Sequence, residues 1–125
     1  MTEHEFKERT KKIALRIIKL VSALPRNLTA SVIGKQLLRS GTSIGANYRA
    51  ACRGKSKADV LHKLSIVEEE ADESLYWIEL LAEADIIPKT RLVELGNEIY
   101  QIVAMTVASM RTMKAGITAN PKSKI

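Results

Sequence analysis

The chain has 125 residues, of which 46% are apolar, 27% charged and 4% aromatic, and this length suits one compact domain. No segment approaches the roughly 18 uncharged apolar residues of a membrane-spanning helix, so no membrane partner is expected. The single cysteine, Cys52, excludes an intrachain disulfide and a cysteine-based zinc cluster. Because residues 1–12 are polar and charged rather than an apolar leader, we expect a cytoplasmic protein.

Charge is distributed unevenly along the chain, although the formal net charge is only +6. Residues 1–57 hold 13 Lys and Arg against 3 Asp and Glu, residues 58–110 hold 3 against 11, and residues 111–125 hold 4 against none. A basic surface of this kind attracts nucleic acid or another anionic partner, with an affinity that falls as salt rises. Neutralisation of basic helices by acidic ones, within or between subunits, is the alternative.

Four helices are predicted, over residues 3–23, 30–53, 56–85 and 88–114. Thr29 is the expected cap of the second helix, and Ser56 with Asp59 forms a capping box at the start of the third. Leu24-Pro25, Gly54 and Gly116 mark helix ends. Long helices joined by short turns alternate in direction, so residues 1–116 are expected to form an all-α, up-down-up-down four-helix bundle. Residues 117–125 are predicted to be a flexible basic tail.

The second predicted helix separates apolar, basic and small polar side chains onto different faces. At about 100° per residue, its apolar side lies opposite a row of cations that continues beyond the helix. No Phe or Trp interleaves with this row, which favours contact with phosphates over stacking on bases. An ordinary solvated face is one alternative, and salt bridges from Arg39 or Arg53 to carboxylates of the third helix are another. The candidate carboxylates are Glu69, Asp72 and Glu73, and the predicted phosphate contacts are Lys35, Arg39, Arg49, Arg53, Lys55 and Lys57.

Two further groups of residues indicate close packing and association. Small polar residues and glycines form a row on the second helix, where each glycine costs about 1 kcal/mol relative to alanine, so tight helix contact is expected there. Apolar residues of the third helix lie away from its core stripe and predict a subunit interface, although neighbouring helices of the same bundle are an alternative cover for them. These residues are Ser40, Gly41, Ser43, Gly45 and Asn47 on the second helix, and Ile66, Trp77 and Leu81 on the third.

Residues that could carry catalysis are few, and neither a metal nor a cofactor is predicted. The acidic run that includes Glu69, Glu70, Asp72 and Glu73 could hold Mg²⁺ for hydrolysis of a nucleotide pyrophosphate, but such a run is more typical of a solvated face. A di-iron bundle requires two Glu-x-x-His motifs, which are absent. Cys52 has no histidine-based motif beside it and is interpreted as a structural thiol. We therefore expect a protein that is not an enzyme.

Residues 36–51, which read QLLRSGTSIGANYRAA, resemble the signature of a family of bacterial four-helix proteins. These are the 23S rRNA intervening-sequence proteins, also called S23 ribosomal proteins. The likeness continues through Arg53, Ser56, Asp59, the EEADES run at 69–74 and Trp77.

The resemblance implies a homopentameric ring of up-down bundles with no established catalytic activity. A related branch implies contact with RNA and with a reverse transcriptase as a protein partner. From the residues and the resemblance together, we predict a non-catalytic, oligomeric bundle that binds RNA or DNA through its basic surface. A protein–protein scaffold and a Mg²⁺-dependent nucleotide pyrophosphohydrolase are the alternatives.

Overall fold

The chain forms four long helices in a computed structural model that describes residues 1–116. They are α1 (Glu3–Ser22), α2 (Leu28–Cys52), α3 (Lys57–Glu83) and α4 (Val93–Lys114), and a single 3-10 turn (Lys89–Arg91) precedes α4. No strand occurs within residues 1–116, and the all-α fold is confirmed. The predicted basic tail, residues 117–125, lies outside the described residues.

Side chains at the helix starts explain where the helices begin. The Asn27 side chain caps α2 by accepting a hydrogen bond from the Ala30 amide at 2.9 Å, so the predicted cap at Thr29 is wrong and that residue lies in the first helical turn. At α3 the predicted cap is confirmed, since Ser56 accepts from the Asp59 amide; the Asp59 carboxylate reaches one residue further back than in a capping box and accepts from the Lys55 amide. Gly116, with φ of 68°, takes the left-handed conformation that follows α4.

Consecutive helices pack side by side, and the core lies between all four. The residues predicted on the apolar side of α2 are all buried, among them Leu37, Ile44 and Tyr48. The Tyr48 ring packs on Phe6 of α1 with ring centroids 4.3 Å apart. The interior thus follows the helical periodicity of the sequence.

Polar contacts join α1 to α4, which touch each other less than consecutive helices do. Arg9 donates to Glu98 at 2.7 Å and to Gln101 at 2.9 Å, while Arg16 lies 3.5 Å from Glu94. Two basic residues of α1 are therefore engaged by α4, and the two helices run antiparallel. No helix within residues 1–116 has the length and apolar character that crossing a membrane requires.

Candidate nucleic-acid interface

The predicted phosphate contacts of α2 fall into three places in the structure. Arg39 points toward α3 and contacts its carboxylates. Lys35 and Arg49 line two cavities between α1 and α2. A third group surrounds the connection from α2 to α3, where all members are exposed: Arg53, Lys55 and Lys57.

Arg39 is held by two glutamates of α3. Its guanidinium lies 3.2 Å from Glu70 and forms a second ion pair with Glu73. The same Glu73 carboxylate accepts a hydrogen bond from the Trp77 indole at 3.0 Å. For Arg39, the salt-bridge alternative is therefore the one that the structure adopts, with Glu70 as a partner that the sequence analysis did not name.

Glu70 reaches Arg39 because of the way α3 packs against α2. It lies one turn from Ser74, whose buried hydroxyl contacts Ser40 of α2 at 2.8 Å, and residues four apart share a helix face. Glu69 and Asp72, which the sequence analysis named instead, are exposed. Neither forms a salt bridge with any described residue.

The other predicted contacts differ from Arg39 in having no carboxylate partner. Within residues 1–116, no salt bridge involves any of the five: Lys35, Arg49, Arg53, Lys55 and Lys57. For Lys35 and Arg49, neighbouring charge explains the difference, because the side of α2 that faces α3 meets glutamates, whereas these two line the groove beside the basic α1. Five of the six predicted side chains thus retain uncompensated positive charge.

The groove between α1 and α2 has two cavities of different character. One, of about 590 Å³, lies at the turn that joins the helices and is lined by Leu24, Leu28, Leu38 and Lys35 among others. The other, of about 370 Å³, lies toward the amino-terminal end of α1. Its lining includes His4, Lys7, Lys11, Ala46 and Arg49. Both cavities therefore contain cations, but only the second has cations from both α1 and α2.

Close helix packing explains the small residues of α2. A Cβ atom at Gly41 would overlap the fully buried Ile17 of α1, and one at Gly45 would lie 3.1 Å from the Thr10 hydroxyl. Ser40 bonds across the helix contact to Ser74, as predicted. Ser43 and Asn47 instead bond to carbonyl groups of their own helix.

The predicted subunit-contact residues of α3 are mostly covered within the bundle. Leu81 is fully buried in the core, so its assignment to a subunit interface is wrong. Trp77 packs against the core and Ile66 is half-buried. Large apolar side chains are exposed elsewhere on the bundle. Val93 and Tyr100 of α4, at 47% and 65% exposure, lie off the main apolar seam of that helix by spacing, whereas no sequence pattern indicated the others: Leu15, Ile18, Leu28, Val32, Leu38 and Tyr76.

Cys52 has the surroundings of a structural thiol. Burial raises the pKa of this thiol, and burial likewise raises the pKa of the neighbouring Tyr48 phenol far above its usual range. A thiol that stays protonated is a poor nucleophile. The Tyr48 hydroxyl is buried without a hydrogen-bond partner among the described residues.

Comparison with known proteins bears on this arrangement. A family model described as 23S rRNA-intervening sequence protein matches residues 2–108. The chain belongs to this family. A crystal structure from the S23 ribosomal protein family of Bacteroides thetaiotaomicron VPI-5482, described as a protein with unknown function, is 36% identical. The match covers 90% of this chain and 100% of that one, with a TM-score of 0.83. No curated protein matches the chain.

Proposed function

We propose that this 23S rRNA intervening-sequence protein is a non-catalytic, homo-oligomeric bundle that binds RNA or DNA in the cytoplasm through its basic surface. The observation that carries the proposal is the contrast within the predicted row of cations. Arg39 is neutralised by α3, while the other five have no carboxylate partner within residues 1–116. Unpaired surface cations attract a polyanion and release its counterions on binding.

Backbone phosphates are the expected contacts, because the interface offers charge without aromatic platforms. The three cations around the α2–α3 connection are exposed, and neither cavity of the α1–α2 groove has Phe, Tyr or Trp in its lining. Recognition of bases by stacking requires such side chains. Binding is therefore expected to depend strongly on salt and weakly on sequence.

Association of subunits is supported by the exposed apolar residues. Leu28, Val32 and Leu38 are exposed on α2, and Val93 and Tyr100 are exposed on α4. Apolar surface of this kind marks protein contacts when it is contiguous. We expect a homopentamer, as the family resemblance implies. Sedimentation equilibrium tests this expectation, and a monomer at micromolar concentration would contradict it.

The first alternative, a Mg²⁺-dependent nucleotide pyrophosphohydrolase, would use the carboxylates of α3. A pyrophosphohydrolase needs free carboxylates, but Glu70 and Glu73 are engaged with Arg39, and residues 1–116 contain no group of three His, Cys, Asp or Glu side chains placed to hold a metal ion. A protein–protein scaffold is the second alternative. In that case the unpaired cations would contact an acidic surface of another protein. A reverse transcriptase is one such partner to test, by pull-down with and without nuclease treatment.

Titration of labelled single-stranded and duplex oligonucleotides, followed by fluorescence anisotropy, tests the proposal. If five phosphates are contacted, Kd for a single strand should rise about a hundredfold between about 50 and 200 mM salt. No complex at the lower salt concentration would contradict nucleic-acid binding. Release of pyrophosphate from any nucleotide with Mg²⁺ or Mn²⁺ would contradict the non-catalytic role.

A further inference from the structure

The basic cavity between α1 and α2 brings together cations from two helices, and only Arg49 among them belongs to the predicted phosphate contacts. Lys7 and Lys11 stand one helical turn apart on α1, Arg49 faces them from α2, and His4 lies at the end of the cavity. At about 1.5 Å per residue, the two lysines are separated by about 6 Å along the groove. Positive charge therefore lines both walls over more than one turn.

Small residues keep the floor of this cavity open. Ala14, Gly45 and Ala46 line it, and Gly45 lets α2 approach the buried Thr10 of α1 closely. The cavity has a volume of about 370 Å³, which is within the range of small-ligand sites. The cavity is thus a slot with a small-residue floor and cationic walls rather than a flat basic surface.

The charges around the slot leave it positive overall. Glu8 is the acidic residue of its lining, and Lys7 lies 3.4 Å from Glu3 in an ion pair that is partly exposed to solvent. Such pairs contribute little to stability, so a phosphate can replace Glu3 at small cost. Lys11 and Arg49 form no salt bridge with any residue in the described part of the chain.

The width of the groove between α1 and α2 favours a single strand of nucleic acid over a duplex. Packed helices lie about 8–10 Å apart, so the groove between them admits a single extended chain.

The cavity at the other end of the groove is lined by Leu24, Leu28 and Leu38, with Lys35 and Arg26 as its cations. Neither of these two cations belongs to α1, so they do not face each other across the groove as those of the slot do.

We propose that the slot formed by His4, Lys7, Lys11 and Arg49 holds the phosphodiester backbone of a single-stranded nucleic acid. This inference rests on the proposed function, and it adds α1 to the binding surface. Arginine binds phosphate oxygens with two parallel hydrogen bonds, the two lysines place point charges at successive phosphates, and the imidazole supplies a further donor. Sequence-independent binding is expected, because the slot has no Phe, Tyr or Trp as a platform for bases and its cations contact the backbone.

The test compares double variants of the full chain that remove the same charge. Lys11→Gln/Arg49→Gln should raise Kd for a single-stranded oligonucleotide at least about tenfold at low salt and lower the salt slope by about 1.4. Lys12→Gln/Lys19→Gln, whose residues are exposed on α1 but outside the slot, should change Kd less than about threefold. Circular dichroism establishes that each variant is folded.

A variant that changes the shape of the slot but not its charge distinguishes binding in the slot from diffuse electrostatic attraction. Ala46→Leu adds bulk at an exposed position of the lining without changing charge, and it should raise Kd at least about fivefold while leaving the folded state intact. If wild-type protein binds the strand but both slot variants match the control, the slot is not the site and the proposed function stands. If wild-type protein binds no nucleic acid, the proposed function itself fails.

Competition identifies the source of the phosphate. Inorganic tripolyphosphate should displace the labelled strand only in large excess, because it spans fewer contacts than a continuous backbone, and a duplex should bind more weakly than the strand. Equal displacement by tripolyphosphate and unlabelled strand at the same phosphate concentration would overturn the assignment of a strand to the slot.

Discussion

The two long sides of α2 carry similar residues but differ in their neighbours. On the α3 side, Arg39 is neutralised by Glu70 and Glu73, and Ser40 meets Ser74 in a buried contact. On the α1 side, Gly41 lets the helices approach, while Lys35 and Arg49 line the groove with no carboxylate partner among residues 1–116. The neighbouring helix, rather than α2 itself, determines which cations stay available for a polyanion.

This difference follows from the division of charge along the chain. The helix after α2 supplies the glutamates, and the helix before it is basic like α2 itself. Arg39 and Arg49 are both exposed and basic, yet only Arg39 lies on the side that α3 covers. Substitutions that remove the contacts on one side of α2 should therefore leave the contacts of the other side intact, so that their contribution to stability or binding can be measured.

The largest effect is expected at the α1 side of the helix contact. Gly41→Val should lower the free energy of unfolding by about 3 kcal/mol, because the added side chain overlaps Ile17 in a fully packed core. Urea denaturation measures the change. Gly96→Ala is the control: apart from the adjacent backbone of α4, the added methyl group would meet nothing within 4 Å, so the variant should be more stable by about 0.5–1 kcal/mol. Equal stability of the two variants would contradict the close contact.

The buried hydroxyl pair on the α3 side should have the next largest effect. Ser40→Ala and Ser74→Ala should each cost about 1 kcal/mol, since each removes the cross-helix hydrogen bond while the remaining hydroxyl keeps a carbonyl acceptor in its own helix. The double variant should cost less than the two single changes together, because the interaction is already lost in either one. A double-mutant cycle by urea denaturation measures this, and strict additivity would show that the hydroxyls do not interact.

Removal of the Arg39 charge should have a smaller effect on stability but a clear spectroscopic one. Arg39→Gln should cost about 0.5–1 kcal/mol, as expected for a partly exposed ion pair. Release of Glu73 should change the emission of Trp77, the one tryptophan in the sequence, whose indole bonds to that carboxylate. Arg53→Gln should change neither quantity. Identical emission from wild type and Arg39→Gln would contradict the network.

The smallest predicted effect concerns the buried thiol. Its pKa is raised by burial, so the folded state favours the neutral thiol. That contribution is complete below the thiol's ordinary pKa and is lost as the pH rises through the raised one. Stability of wild type should fall relative to Cys52→Ala above the ordinary thiol pKa of 9.0. Urea midpoints measured from neutral to alkaline pH test this, and a constant difference would count against it.

The bundle and its core could be predicted from the sequence, because the spacing of apolar residues and the residues that end a helix depend only on nearby positions in the chain. Ile33, Leu37, Ile44 and Tyr48 share one face by spacing alone, and all are buried. The start of α2 could not be predicted in this way, since Asn27 and Thr29 are both of residue types that suit a cap. Local patterns could not decide between them.

The site could be predicted only in part, because it depends on contacts between helices. Helical spacing predicts that Arg39 and Arg49 face outward from α2. Which glutamates of α3 reach Arg39 depends on how α2 and α3 pack. Lys7 and Lys11 join Arg49 only through the contact of α1 with α2, which no local pattern encodes. Leu81 lies off the core stripe of α3 by spacing, yet the packed bundle buries it fully.

The most direct test of the account compares single-strand binding by wild type, Arg39→Gln and Arg49→Gln across a range of salt concentrations. Each variant loses one positive charge from the same helix. The account predicts that Arg49→Gln weakens binding about tenfold at low salt and lowers the salt slope by about 0.7, whereas Arg39→Gln leaves the slope unchanged. Equal losses in the two variants, or a larger loss in Arg39→Gln, would contradict it.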